Sequence, residues 1–359
     1  MPTWSGILEE LSQSRVGGGP PQFDAVRRKY LVSVYQHTGR EVILYASKWT
    51  QHDANVSPDV VSIVDEDLQG IMEVIHGLSG PNLDLILHSP GGSLEAAEAL
   101  VLYLRSKFNH IRVIVPQMAM SAATMIACAA DLIVLGKHSF LGPIDPQIII
   151  NTPLGQRMVP AQAILEQFER AKNECQDPAK LGAWLPMLSQ YGPDLLVQCE
   201  DASEMSKDLV KGWLEAYMLK NDRNRRSKAK RIAEWLSNHG HFKSHGRHVQ
   251  RSELEKRGLK VKYLEEDQKT QDLVLSVFHA TTHTFNGTSA VKIIENHLGK
   301  AFIKQVQPMI VQIPGPPGAT GQRPNIPLLG SSPPQPEQIV PEDLGRKQKK
   351  GPMQRGNRK

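Results

Sequence analysis

Apolar and polar positions alternate along the chain in two kinds of segment. Short, nearly unbroken apolar runs occur at REVILYAS (40–47), LDLILHS (83–89), IRVIVP (111–116) and DLIVLG (131–136). Their length and β-branched content predict buried strands. Between them lie stretches with apolar residues at helical spacing. DVVSIVDEDLQGIMEVIHGL (59–78) reads as one amphipathic helix. In SLEAAEALVLYLRSKF (93–108), Leu94, Ala97, Leu100, Val101 and Leu104 share a face, and Ser93 is placed to cap. FDAVRRKYLVSVYQHTG (23–39), PAQAILEQFERAKNE (160–174), a region from Pro193 to Leu236 and DLVLSVFHATTHTF (272–285) add further helices, the last closing the domain. Strand and helix repeat at short spacing, which predicts an α/β fold of stacked βα units.

The ends differ from this body. Residues 1–25, with VGGGPPQF, predict a flexible N-terminal arm, and 26–312 a single domain with a helical C-terminal part. Residues 313–359 predict a disordered tail, because IPGPPGATGQRPNIPLLGSSPPQPEQ cannot bury a core and GRKQKKGPMQRGNRK is a basic run. The tail carries 8 Lys+Arg against 3 Asp+Glu of a chain whose net charge is +5. The remainder is balanced, with 34 bases (42 less 8) against 34 acids (37 less 3). Net charge therefore gives no support to nucleic-acid binding by the body, and KNDRNRRSKAKR (220–231) reads as a solvated helix face. The tail is either a solubilising extension or a tether for peripheral contact with an acidic partner or membrane surface. No run of about 18 apolar residues predicts a membrane span, and the N-terminus does not read as a secretory signal. Cys128, Cys175 and Cys199 form neither a disulfide framework nor a CxxC motif, which fits a reducing, cytoplasmic setting.

The candidate chemistry lies just beyond three of the strands. HSPGGS (88–93) brings two glycines that let backbone approach a ligand closely. VPQMAMSAATMIACAAD (115–131) places Ser121 at a strand–helix joint, as either a helix cap or a nucleophile. FLGPIDPQ (140–147) follows the next strand. Sites form at the carboxyl ends of parallel strands, so the amides of Gly92 and Ala122 and the Ser121 hydroxyl are expected to face one point. Gly91, Gly142 and Asp145 border the same place. Met118, Met120 and Met125, like Trp184, Trp213 and Trp235, read as packing. His239, His241, His245 and His248 have no ligand spacing that specifies a metal, and His88 reads as structural; no cofactor is expected.

LILHSPGGSLEAAEAL, MAMSAATMIACAADLIVLG and SFLGPIDPQ together resemble the Clp/crotonase superfamily, and within it the serine dehydrogenase proteinase family, relatives of signal peptide peptidase A. The resemblance spans about 25–285. It implies a stacked ββα superhelix, an ATP-independent serine endopeptidase acting on polypeptide, and a homo-oligomer. It also implies Ser121 as nucleophile, with the Gly92 and Ala122 amides as oxyanion hole. A Clp-type triad has its histidine where this chain reads GPIDPQ, with Asp145 instead. The signal peptide peptidase branch resembles a Ser-Lys dyad, and Lys172 lies 51 residues after Ser121, with Lys180 and Lys137 as fallbacks. Two other readings stand beside it: a crotonase-like acyl-CoA enzyme and a non-catalytic assembly protein.

Overall fold

The computed structural model describes residues 3–51, 56–152 and 155–306; the tail expected over 313–359 lies outside the described residues. In chain order the elements are α1 (Trp4–Gln13), α2 (Phe23–Thr38), β1 (Glu41–Ser47), α3 (Pro58–Val61), α4 (Asp67–Ile75), β2 (Asn82–His88), α5 (Leu94–Lys107), β3 (His110–Val115), β4 (Met118–Ala119), α6 (Ala122–Cys128), β5 (Leu132–Leu135) and β6 (Phe140–Leu141). There follow the hairpin strands β7 (Gln147–Thr152) and β8 (Gly155–Pro160), then α7 (Ala161–Glu174), α8 (Pro178–Leu188) and α9 (Leu195–Trp213), which runs into a π-helical turn at Leu214–Met218. The rest comprises α10 (Arg225–Leu236), α11 (His239–Phe242), β9 (Val249–Gln250), α12 (Arg251–Arg257), β10 (Val261–Tyr263), α13 (Gln268–Gly287), β11 (Ala290–Asn296) and β12 (Ala301–Gln305).

Seven strands form the main sheet in the order β10-β5-β3-β2-β1-β11-β12. The first five run parallel, and β11 pairs antiparallel with both β1 and β12. Side chains alternate across a strand, and here the alternation sorts two apolar layers. Ile43, Tyr45, Leu83, Leu85, Val113 and Val115 face the layer of α4, α5 and α6. Val42, Leu44, Ala46, Ile86 and Ile114 face the layer of α2 and α13. Both faces are covered, so β1 is buried along its whole length. That double burial is why these strands are continuous apolar runs in the sequence.

A second, narrower row of strand pairing lies along the sequence-predicted site. Ile63 bridges Gly92, Ser89 bridges Ala119, β4 pairs with β6 and β6 with β9. Each unit thus contributes a long strand, a short strand of this row, and a helix, the ββα repeat that the family resemblance implied. The row explains a departure from the helix expected over 59–78. That helix is divided at Ser62–Val64, because Ile63 is drawn out as a partner for Gly92. The region 1–25, expected as a loose arm, contains α1, whose Ile7 and Leu11 lie four residues apart and bury with Val26 and Ala280. The chain also continues past α13 into β11 and β12 rather than closing there. Among the described residues no helix is long and apolar enough to cross a membrane.

β11 escapes a simple apolar reading because it carries Lys292 and Glu295, both fully buried. Glu295 is paired with Arg27 and Arg28. Lys292 Nζ donates to both oxygens of Asp67, at 2.7 and 2.8 Å, and to the Ser62 carbonyl at 2.7 Å. Asp67 also accepts from the Tyr45 hydroxyl (2.7 Å) and the Val64 amide (2.9 Å). This buried pair fixes the 62–64 segment that reaches Gly92. Removing one partner strands a charge away from water. Lys292→Met is therefore expected to lower stability by about 3–5 kcal/mol, read from urea unfolding, with much of the loss recovered in Lys292→Met/Asp67→Leu. An unchanged midpoint in the single variant refutes this role.

Candidate active site

Ser121 occupies the junction between β4 and α6. Its backbone is at φ 52°, ψ −122°, and its side chain makes no capping bond to the helix. Ser93, by contrast, caps α5 from an extended backbone and accepts from the Ala96 amide at 3.1 Å. The two serines therefore do different work. A positive φ at a non-glycine residue costs about 1–3 kcal/mol and persists only where its surroundings impose it. Here Met120 N–H bonds to the Ser89 carbonyl (3.0 Å), Ala123 N–H to the Met120 carbonyl (2.9 Å) and Met125 N–H to the Ser121 carbonyl (3.1 Å). α6 is buried along its entire length and built mostly of small residues, so the turn has no room to relax.

The glycine pair abuts this turn. A Cβ on Gly91 (φ 96°) would stand 2.7 Å from the Ser121 Cβ and 2.8 Å from the Ala122 nitrogen; one on Gly92 would stand 2.2 Å from the Ile63 carbonyl oxygen. Only glycine fits either place. Ile63 N–H donates to the Gly91 carbonyl (2.7 Å) and Ser93 N–H to the Ile63 carbonyl (3.0 Å). In a parallel bridge these bonds flank Gly92 and leave its own N–H directed to the opposite side. Gly91 N–H is taken by Ser89 Oγ at 3.2 Å. The Ala122 amide belongs to the first turn of α6, whose N–H groups have no intrahelical acceptor. The structure thus brings Gly91, Gly92, Ser121 and Ala122 together.

Gly142 joins them through Thr124. Thr124 Oγ1 donates to the Ala119 carbonyl (2.8 Å) and accepts from the Gly142 amide (2.9 Å). A Cβ on Gly142 would lie 2.5 Å from the Met120 Cε. Asp145 is buried and accepts from Gln147 Nε2 (3.0 Å), and the ring nitrogens Nδ1 of His239 (2.9 Å) and His245 (2.8 Å) lie within hydrogen-bond reach of its Oδ2 and Oδ1. No local pattern marks these contacts, since His245 follows Asp145 by 100 residues. The late histidines thus divide: two meet Asp145, while His248 stacks on Phe140. Among the described residues no group of three or more His, Cys, Asp or Glu is arranged to hold a metal.

Lys172 sits elsewhere in character. It lies in the last turn of α7, 65% exposed, with Glu169 3.4 Å away. Lys137 is exposed on the turn after β5, and Lys180 is exposed on α8. His88, one strand end from the glycines, is buried beside Trp49 and Phe278, and its Nδ1 has no partner.

With this geometry in view, residues 63–274 match the family of ClpP-like SDH-type serine proteinases. The chain belongs to that family. Two uncharacterized proteins of Methanocaldococcus jannaschii are similar to it. One is 34% identical over 146 residues, 38% of this chain and 47% of its own. The other is 34% identical over 166 residues, 43% of this chain and 55% of its own. The chain thus spans about half the length of the curated relatives it matches. Among solved structures, a serine-to-alanine mutant of a membrane-bound stomatin-specific protease is similar, with 14% identity, a TM-score of 0.32 and coverage of 56% of this chain and 74% of that one. The matched region contains every site residue named above.

Burial pushes the His88 imidazole down to about 4, against a smaller opposing effect of its bond with Met118 backbone. Between about 6.5, the unfolded value, and about 4 the unfolded chain takes up a proton that the folded chain refuses. Stability at His88 is thus complete above about 6.5 and lost as pH falls, by at most about 3 kcal/mol. Urea midpoints are expected to drop between pH 7 and pH 4.5, and to drop less in His88→Gln. An equal drop in both proteins assigns the acid sensitivity to other groups.

Proposed function

We propose that the protein is a serine endopeptidase in which Ser121 attacks the peptide carbonyl and the Gly92 and Ala122 amides receive the oxyanion. The observation that carries this reading is the strained, uncapped Ser121 packed against the Gly91–Gly92 backbone. Strain of this kind raises a side chain clear of its helix and toward the site, as in other strand–turn–helix nucleophiles. Two amides preset for a negative oxygen stabilise the tetrahedral intermediate more than the flat substrate, and one such donor is worth about 10²–10³ in rate. The substrate class is polypeptide in extended form, which the open backbone of the second strand row suits.

For Lys172 to serve as base, α7 has to bring it to Ser121 and strip away both its water and Glu169, because a lysine gives up its proton near neutrality only when desolvated. The reading rests on the serine and the amides and holds whichever base serves them. Assembly as a homo-oligomer belongs to the same proposal, supported by the exposed Ile149 and Met158 of the β7–β8 hairpin and Leu181 and Leu185 of α8. The three free thiols suit a reducing, cytoplasmic setting.

Purified protein is expected to cleave unfolded casein without ATP. Ser121→Ala is expected to abolish cleavage while retaining the same size and melting curve, whereas Gly92→Ala, whose methyl would push the strand away from Ile63, is expected to lose activity and stability together. Undiminished cleavage by Ser121→Ala overturns the assignment.

A further inference from the structure

The balance of charge over the body conceals a division. Residues 220–262 carry 14 Lys+Arg against 4 Asp+Glu, so the rest of the neutral body carries the opposite excess. The basic part is brought together by α10 and α12. A Cβ added to Gly258, just after α12, would stand 2.3 Å from the Lys228 Cε of α10. The Arg257 guanidinium lies 4.7 Å over the Trp235 ring. Arg223, Arg226, Arg231, Lys256 and Lys260 are exposed there, and none forms a salt bridge among the described residues. Arg225 and Arg226 stand in the first turn of α10, with no acid in that turn and no side-chain cap from Asn224. A helix favours anions at that end, so these charges work against α10 itself.

The helix that packs on α10 is marked in the opposite sense. α9 buries Leu195, Cys199, Ser206, Val210 and Trp213. From the N-cap Asp194, the residues Val197, Asp201, Glu204 and Asp208 follow at alternating steps of four and three, which sets them along one exposed face. Glu200 is exposed beside them. Of these carboxylates only Asp208 has a cation partner among the described residues, Lys211 at 3.6 Å. Packed helices lie about 8–10 Å apart, close to the screening length of about 8 Å in physiological salt. An acidic and a basic stripe thus lie on adjacent helices. The basic one borders the starts of β5 and β10, because the Lys260 carbonyl accepts from Ile133 N–H at 3.1 Å and Lys220 Nζ lies 3.1 Å from Asp131. Ser121 is at the other edge of the sheet, beyond the strand ends.

We infer that the two stripes form a docking surface for a second copy of the chain, related by a two-fold axis, so that α10 of each copy lies against α9 of the other. This rests on the homo-oligomer proposed above and gives it a charged interface separate from the apolar hairpin and α8. Across a two-fold axis residue i meets j while j meets i, so adjacent stripes of opposite sign complement themselves. A long polyanion laid on α10 would meet the α9 carboxylates within the same screening length and be repelled, whereas a second copy answers both signs at once. Alignments that set like charges together are disfavoured, so the stripes also fix the register. Exposed ion pairs contribute little singly, which makes the docking reversible and sensitive to salt.

The test is the particle mass of the full chain by sedimentation over a concentration series, at about 50 and about 500 mM sodium chloride. Wild type is expected to associate, and its association to weaken at least about tenfold at the higher salt. Arg226→Glu/Arg231→Glu reverses the basic stripe, and Asp201→Lys/Glu204→Lys reverses the acidic one. Each variant alone is expected to associate at least about tenfold more weakly. A one-to-one mixture of the two is expected to regain association, because every stripe again meets its opposite. Wild type that is monomeric at every concentration overturns the homo-oligomer reading and this inference with it. Association that salt, or either variant, leaves undiminished overturns this inference alone and assigns assembly to the apolar surfaces. Weakening in both variants without recovery in the mixture also overturns it. So does full association by an Arg226→Glu/Arg231→Glu chain that has lost binding to heparin or to phosphatidylserine vesicles, which assigns the basic face to a polyanion. If a variant loses the wild-type melting curve, the wild-type salt series decides, and a salt-independent mass refutes the docking.

Discussion

Close backbone approach at Gly91–Gly92 is the constraint on which the arrangement depends. One side of this strand touches Ile63 and the other touches Ser121, and neither side tolerates a methyl group. The constraint acts in both directions along the fold. It pulls Ile63 out of a helix that the local sequence favours, and it presses the Ser121 turn into a positive φ. The buried Lys292–Asp67 pair holds the first displacement in place, and the all-buried α6 holds the second. Site and core are thus one mechanical unit: strain at the serine persists because close-packed neighbours cannot shift one at a time.

The sheet supplies the rest of the positioning. Parallel strands covered on both faces deliver successive chain segments to the same edge. The narrow second row then spaces those segments at the separation of paired strands, about 4.8 Å. Thr124 joins two of them with a single hydroxyl, donating to β4 and accepting from the backbone just after β6. Reactive groups held this way sit on regular structure, which fixes their spacing more closely than free loops do.

Much of this was legible in the sequence, and the parts that were not share a cause. The buried parallel strands read directly, because double burial writes an unbroken apolar run. The convergence of PGG, the Ser121 turn and GPIDP followed from strand order. Residues 59–78 read as one helix because their periodicity is helical, and only the partner of Ile63, Gly92, 29 residues further on, interrupts it. β11 was hidden by Lys292 and Glu295, whose charges are cancelled by Asp67, Arg27 and Arg28 from distant elements. The late histidines read as a loose cluster because their partner lies about 100 residues upstream. Local periodicity records what a residue does within its own element, whereas these features are set by long-range neighbours.

The place of β9 in the small row has a consequence for the life history of the chain. Its pairing with β6 closes a loop of more than 100 residues, and such long-range closures form late. During synthesis the Ser121 turn emerges first, followed by Asp145. At about 5–20 residues per second, roughly 5–20 s pass before residue 245 follows. Until then the serine has its strand but not the edge that completes its surroundings. A nascent chain in this state carries an unfinished site past its neighbours on the ribosome, and chain order alone delays its completion.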